Sequence, residues 1–145
     1  MPKCYQTRVI NAPIDKVWEK ISDFQDISSW APNIVETCEK IGKLNGKEIG
    51  SKRLLNKAFH ETLISLNQAE YSFSYSIDEG PSPISSMEVK NYLGEVRLFE
   101  ITQTNETFIE WKSSWDAINS DGEEFCHTIY VALMNDLNKT LELNL

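Results

Sequence analysis

From residue 34 to residue 117 the sequence offers only strands and turns, and after them a single long helix. The segments IVETCEKI, IGSKRLLN, FHETLISLN, EYSFSYSI, VKNYLGEVRLFEIT and TFIEWKSSWDA carry the aromatic, β-branched and alternating pattern of strands. The stretches GKLNG, NKA, NQA, DEGPSPISS and QTNE separate most of them as turns. Ahead of them, YQTRVI reads as a first strand, NAPIDKVWEKISD as a helix, and FQDISSWAP as a short helical turn stopped by Pro32. Pro13 suits the first helical position and Asp15 the positive N-terminal end, while Ile14, Val17, Trp18 and Ile21 give the apolar stripe. The last element, GEEFCHTIYVALMNDLNKTLEL, repeats Phe125, Ile129, Leu133 and Leu137 at every fourth position, joined by Ala132 and Leu141. Asp121 is its candidate cap, and Glu123 and Glu124 occupy its first turn.

Short turns between successive strands predict an antiparallel meander. A seven-stranded sheet must bury one face, and the final helix is the only long amphipathic element available to cover it. A twisted sheet curled around one helix leaves space between them unless large side chains fill it. The stretch YSFSYSI shows what would line that space. Tyr71, Phe73, Tyr75 and Ile77 share one side of an extended chain, and Ser72, Ser74 and Ser76 the other. The rings face either a packed core or a cavity, and the serines face water. The expected fold class is α+β.

The 145 residues suit one domain, residues 1–145, with a sizeable core. Net charge is −8 and the basic residues are scattered, which argues against nucleic acid and anionic membrane partners, since both need a basic patch. No apolar run approaches the roughly 20 residues of a membrane span. The N-terminus MPKCYQTRVI has no signal-peptide core. Cys4, Cys38 and Cys126 are an odd, widely spaced set without CxxC, so reduced thiols in a cytoplasmic protein are expected, with no metal site. Neither His60 nor His127 stands with a nucleophile or metal set, and HExxH, GxSxG, P-loop and GxGxxG motifs are absent, so no cofactor is expected.

The stretch NAPIDKVWEKISDFQDISSW resembles the opening of the START-like, or SRPBCC, superfamily, more narrowly its bacterial polyketide cyclase/dehydrase and lipid-transport family. HETLISLNQAEYSFSYSIDEGP, NYLGEVRLFEIT, FIEWKSSWD and EEFCHTIYVAL extend the resemblance, in order, over nearly the whole chain. It implies a helix-grip fold: a seven-stranded antiparallel sheet wrapped around a long C-terminal helix, two short helices after the first strand, and a hydrophobic cavity between. Because lipid carriers, plant hormone receptors and aromatase/cyclases share this fold, it does not settle the activity.

The resemblance places Glu61, Tyr75, Ile77 and Tyr92 at inward positions. Alternation adds Phe59 and Leu63 beside Glu61, Phe73 beside Tyr75, and Val96 beside Tyr92. Ile109, Trp111 and Trp115 share a face of the last strand, taken as inward, and Phe125, Ile129 and Leu133 close the cavity from the helix. The candidate ligand-binding residues are therefore Phe59, Glu61, Leu63, Phe73, Tyr75, Ile77, Tyr92, Val96, Trp111, Phe125, Ile129 and Leu133. Glu61 is costly to bury without a partner. It either sits at a rim, pairs with an Arg or Lys, or anchors a ligand hydroxyl at a polar end shared with Tyr92. Glu36 falls near a position where the hormone receptors carry a carboxylate-binding lysine; an acid there repels a carboxylate, or is simply solvated if the alignment slips. The loop DEGPSPISSMEV is either a surface hairpin loop or a gate at the cavity mouth. The expected function is binding or transport of a small hydrophobic or amphipathic ligand. The alternative is a polyketide cyclase/aromatase-like enzyme that uses Glu61 and Tyr92 for proton transfer.

Overall fold

The computed structural model describes residues 2–118 and 121–143, with the Leu143 side chain outside the description. The elements run β1 (Lys3–Ile10), α1 (Ile14–Ile21), α2 (Ile27–Trp30), β2 (Cys38–Ile41), β3 (Lys52–Leu55), β4 (Phe59–Asn67), β5 (Ser72–Glu79), β6 (Val89–Ile101), β7 (Glu106–Ala117) and α3 (Asp121–Leu143). The strands form one antiparallel sheet in the order β1-β7-β6-β5-β4-β3-β2. β1 and β2, consecutive strands in the chain, are its opposite edges, and α1 and α2 make the crossing between them. α3 packs against β1 and α2.

Local chemistry explains most of the boundaries. Pro13 lies in extended backbone as the cap of α1, one position before the helix proper. Asp15 stands in the first turn of α1 and Lys20 in its last, both matched to the helix dipole, and Ile14, Val17, Trp18 and Ile21 are buried. β2 is shorter than the sequence pattern predicts. Asn56 takes over the backbone of residues 34–37: its Nδ2–H donates to Ile34 O at 2.9 Å, and Glu36 N–H donates to its Oδ1 at 2.8 Å. With these groups satisfied by a side chain, the segment needs no neighbouring strand, and Ile34 and Val35 turn inward. Glu36 is exposed, so the solvated alternative holds.

The serine side of β5 also departs from expectation. Ser74 is buried, its hydroxyl paired with that of Ser65 on β4, next to a register shift between Leu63 and Ser65. Tyr71 lies outside β5 with φ of 52°, its ring edge-on to Trp18 and its hydroxyl donating to Asp15 at 3.0 Å. It packs on α1 rather than continuing the stripe of Phe73 and Tyr75.

On α3 the buried track runs through Cys126, Tyr130, Leu133, Met134, Leu137 and Leu141. Phe125 and Ile129 are half-buried on its flank. A strict four-residue repeat drifts around a helix of 3.6 residues per turn, so the 125–129–133–137 series slides from the flank to the core. Leu63, Ile109 and Leu137 are fully buried, each worth about 1.5–3 kcal/mol of transfer free energy.

Candidate functional site

A cavity of about 120 Å³ lies between the sheet and α3. Its floor is built from alternate residues of neighbouring strands: Arg53 and Leu55 of β3, Phe59 and Glu61 of β4, Tyr75 and Ile77 of β5, Tyr92 of β6 and Trp111 of β7. Its roof is Phe125, Cys126, Ile129, Tyr130 and Leu133 of α3. Ile27, Ile34, Val35, Asn56 and Ile84 complete the wall.

Nine of the twelve residues singled out from sequence surround this space: Phe59, Glu61, Tyr75, Ile77, Tyr92, Trp111, Phe125, Ile129 and Leu133. Leu63, Phe73 and Val96 face the same way but do not reach it. Phe73 packs within 6.3 Å of the Phe24 ring, in solid core. Alternation gives the face of a strand, not the depth along it at which the cavity ends. Ile109 is likewise core, and Trp115 stacks behind Tyr92 at 5.3 Å and 17°.

Glu61 is 5% exposed and its partner is Arg53 at 4%. Arg53 Nε–H and Nη2–H donate to Glu61 Oε1 at 2.8 and 2.6 Å, and Nη1–H donates to Phe24 O at 2.7 Å. The guanidinium also lies 3.7 Å over the Phe24 ring. Burial pushes the Glu61 carboxyl above its ordinary range, and the charge and hydrogen bonds of Arg53 oppose that push. Of the readings open for Glu61, the ion pair is the one observed. A signal for it existed in the sequence. The NKA turn sets Leu55 opposite Phe59, and two residues further along Arg53 falls opposite Glu61.

The second polar group is a set of phenols. Trp111 Nε1–H donates to Tyr75 Oη at 3.0 Å, Tyr75 Oη lies 3.2 Å from Tyr130 Oη, and Tyr130 Oη is bonded to Tyr92 Oη. Burial raises all three phenols above their ordinary range, so they stay protonated at neutral pH. Tyr130 and Cys126 were not singled out from sequence because their polar heads hide them in an apolar periodicity count.

The loop between β5 and β6 borders the cavity through Ile84. Glu79 holds it: Gly80 N–H and Ser86 N–H donate to Oε1 at 2.9 and 2.8 Å, and Ser86 Oγ–H to Oε2 at 2.6 Å. Ile84, 2% exposed, is thereby pressed into the wall.

His60 is exposed, and His127 Nδ1 accepts from Gln6 Nε2 at 2.8 Å and lies 3.3 Å from Cys4 Sγ. Burial pushes the Cys4 thiol up to about 12, which suppresses the thiolate. Among the described residues no three His, Cys, Asp or Glu side chains converge as metal ligands would.

A family model described as polyketide cyclase / dehydrase and lipid transport matches residues 1–142. The chain belongs to this SRPBCC-type family. Among solved structures, a protein from Nitrosospira multiformis is 41% identical, with a TM-score of 0.93 over 95% of this chain and 94% of that one. The protein XoxI from Bacillus cereus is 23% identical, with a TM-score of 0.79 over 100% and 99% of the two chains. Ginseng major latex-like protein 151 from Panax ginseng, 15% identical, has a TM-score of 0.76 over 98% and 95%. No curated protein matches the chain. The helix-grip architecture of this SRPBCC chain is thus that of its neighbours. None of its described helices is long and apolar enough to cross a membrane.

Proposed function

We propose that this SRPBCC protein binds a small hydrophobic or amphipathic molecule in the cavity between sheet and α3, with residues 1–145 acting as one ligand-binding unit. The observation that carries the reading is the cavity itself: an aromatic and aliphatic wall interrupted by a few polar residues, the Arg53–Glu61 pair, the tyrosines and Asn56. Ligand sites are mostly apolar with a few polar anchors that fix orientation. The nine predicted residues on this wall are the proposed contacts. All three cysteines are free thiols, which suits a reducing compartment such as the cytoplasm.

The cyclase-like alternative needs a general base. Glu61 accepts two N–H bonds from Arg53 on one oxygen, so protonating it would break a buried ion pair and leave the guanidinium uncompensated, a cost that opposes the push of burial toward the protonated carboxyl. Binding without chemistry is therefore the favoured reading. Native mass spectrometry of protein purified from its own source tests both. A small apolar mass released on denaturation is expected. Repeated recovery of one altered species together with its precursor turns the reading toward an enzyme. Protein that is empty and shows no cavity-centred NMR shifts with any apolar probe overturns it.

A further inference from the structure

We propose that the outer face of the sheet, turned away from α3 and the cavity, docks a second copy of this chain, in a two-fold dimer whose axis runs parallel to the strands between β6 and β7. The proposal stands apart from the cavity-binding reading, which concerns the other face of the same sheet.

The register fixes what this face presents. Val96 and Leu98 of β6 and Ile109 and Trp111 of β7 are buried, so alternation turns Glu95, Arg97 and Phe99, and Phe108, Glu110 and Lys112, outward. Three rows cross the strands. Val9, Phe108 and Phe99 make one. Thr7, Glu110 and Arg97 make the next, continued by Ser72 of β5. Tyr5, Lys112 and Glu95 make the third, continued by Ser74. Tyr5, Val9 and Phe99 are 53%, 42% and 37% exposed, so the charged middle of the face has large apolar side chains on its flanks. The chain carries a net charge of −8, but Glu95, Arg97, Glu110 and Lys112 cancel, so this is a place where two copies can approach.

The pattern is complementary to itself. A two-fold axis along the strands, midway between β6 and β7, lays β6 of each copy over β7 of the other and keeps every row at its own height. Arg97 then faces Glu110 of the other copy, Glu95 faces Lys112, and Phe99 faces Phe108, each contact made twice. Within one copy the Phe99 and Phe108 rings already lie 6.0 Å apart, so the dimer joins four rings. An axis centred on β6 or on β7 would instead set each charge against its own copy. Packed sheets twist by about −30° relative to each other, so the match is closest in the rows beside the axis.

Shape agrees with charge. The same axis lays β1 of one copy over β5 of the other. β1 brings the protruding Tyr5, and β5 brings Ser72 and Ser74, where the surface is hollowed. A depression of about 270 Å³ lies there, bordered by Ser65, Ser72, Ser74 and Arg97. Arg97 is exposed, lies 4.7 Å over the Phe99 ring and makes no ion pair among the described residues. The face is small, so the expected dimer is weak and concentration-dependent.

The test is sedimentation velocity and amide chemical shifts of the full-length chain over a dilution series. A reversible dimer is expected, with shifts confined to the outer rows of β1, β5, β6 and β7. Arg97→Glu or Glu110→Arg alone is expected to weaken it about tenfold, because like charges then oppose each other across both contacts. Mixed in equal amounts, the two variants are expected to associate with each other. The charge reversed in one meets the charge reversed in the other, and the second contact keeps its native pair. A disturbance confined to one chain is not rescued by mixing. Tyr5→Ser is expected to weaken the dimer with the charges unchanged. A chain that stays monomeric at every concentration, shifts on α3 in place of the outer rows, or a mixture that fails to associate overturns the proposal. Should a variant not fold, the dilution shifts of the unmutated chain still decide. None of these results bears on the cavity, which is read with apolar probes.

Discussion

Arg53 and Glu61 each lie within a few per cent of complete burial, and neither charge is tolerable there without the other. Glu61→Gln, which at first sight removes only a ligand anchor, leaves a buried guanidinium uncompensated. Urea unfolding is expected to show a loss of about 3–5 kcal/mol for Glu61→Gln or for Arg53→Met alone. The double change Arg53→Met with Glu61→Leu is expected to recover most of that, since an apolar pair of similar volume removes both desolvation costs. Additive losses in the double variant would show that the two side chains act independently. Glu61 was conspicuous in the sequence because a lone acid between Phe59 and Leu63 demands a partner. The partner was legible only through the hairpin register that sets Arg53 across from it.

Two elements carry predictions of their own. Gly94 of β6 stands opposite Tyr75 of β5, and a Cβ at Gly94 would lie 2.4 Å from Tyr75 Cζ. The absent side chain is the space over which the Tyr75 ring lies. Gly94→Ala is expected to cost about 1–3 kcal/mol by overpacking and to move Tyr75 off Trp111 and Tyr130. Denaturant unfolding measures the first effect, and the Trp111 indole proton shift the second. The β5–β6 loop depends on Glu79, whose carboxyl is held down to about 2 from an ordinary 4.5 by the Ser86 hydroxyl and the Ser86 and Gly80 amides. A carboxyl lowered in the folded state adds stability above its ordinary value and loses it as the pH falls through the lowered one. The loop is therefore expected to stay latched at pH 5 and to loosen between 4.5 and about 2. Amide exchange at Ser86 reports this, and Glu79→Gln is expected to raise that exchange already at neutral pH. The latch was not visible in DEGPSPISS, because Glu79 and Ser86 meet only once the loop closes on itself.

At the scale of the whole molecule, a ligand that binds only the folded state stabilises all of it. At about a hundred times its dissociation constant it is expected to add about 2.7 kcal/mol, or very roughly 5–10 °C in Tm for a chain of this size. Calorimetry with an apolar probe that shifts the cavity amides checks this, and an unchanged Tm at saturation would place the ligand outside the folded interior. The amino-acid sequence by itself determined the order of elements, the antiparallel meander and the solitary helix that must cover it. Those follow from side-chain periods of two and of about 3.6, which are local properties of the chain. Alternation put Tyr75 and Ile77 on one side of their strand, and it was the family resemblance that turned that side, and Tyr92, inward. Only the tertiary structure decided that Leu63, Phe73 and Val96 lie beyond the cavity, that Asn56 takes residues 34–37 out of the sheet, and that Tyr130 completes a chain of hydroxyls with Tyr75 and Tyr92. Depth along a strand, and contacts between side chains more than 50 residues apart such as Tyr75 and Tyr130, depend on how a twisted sheet closes against a helix. No local period encodes that closure.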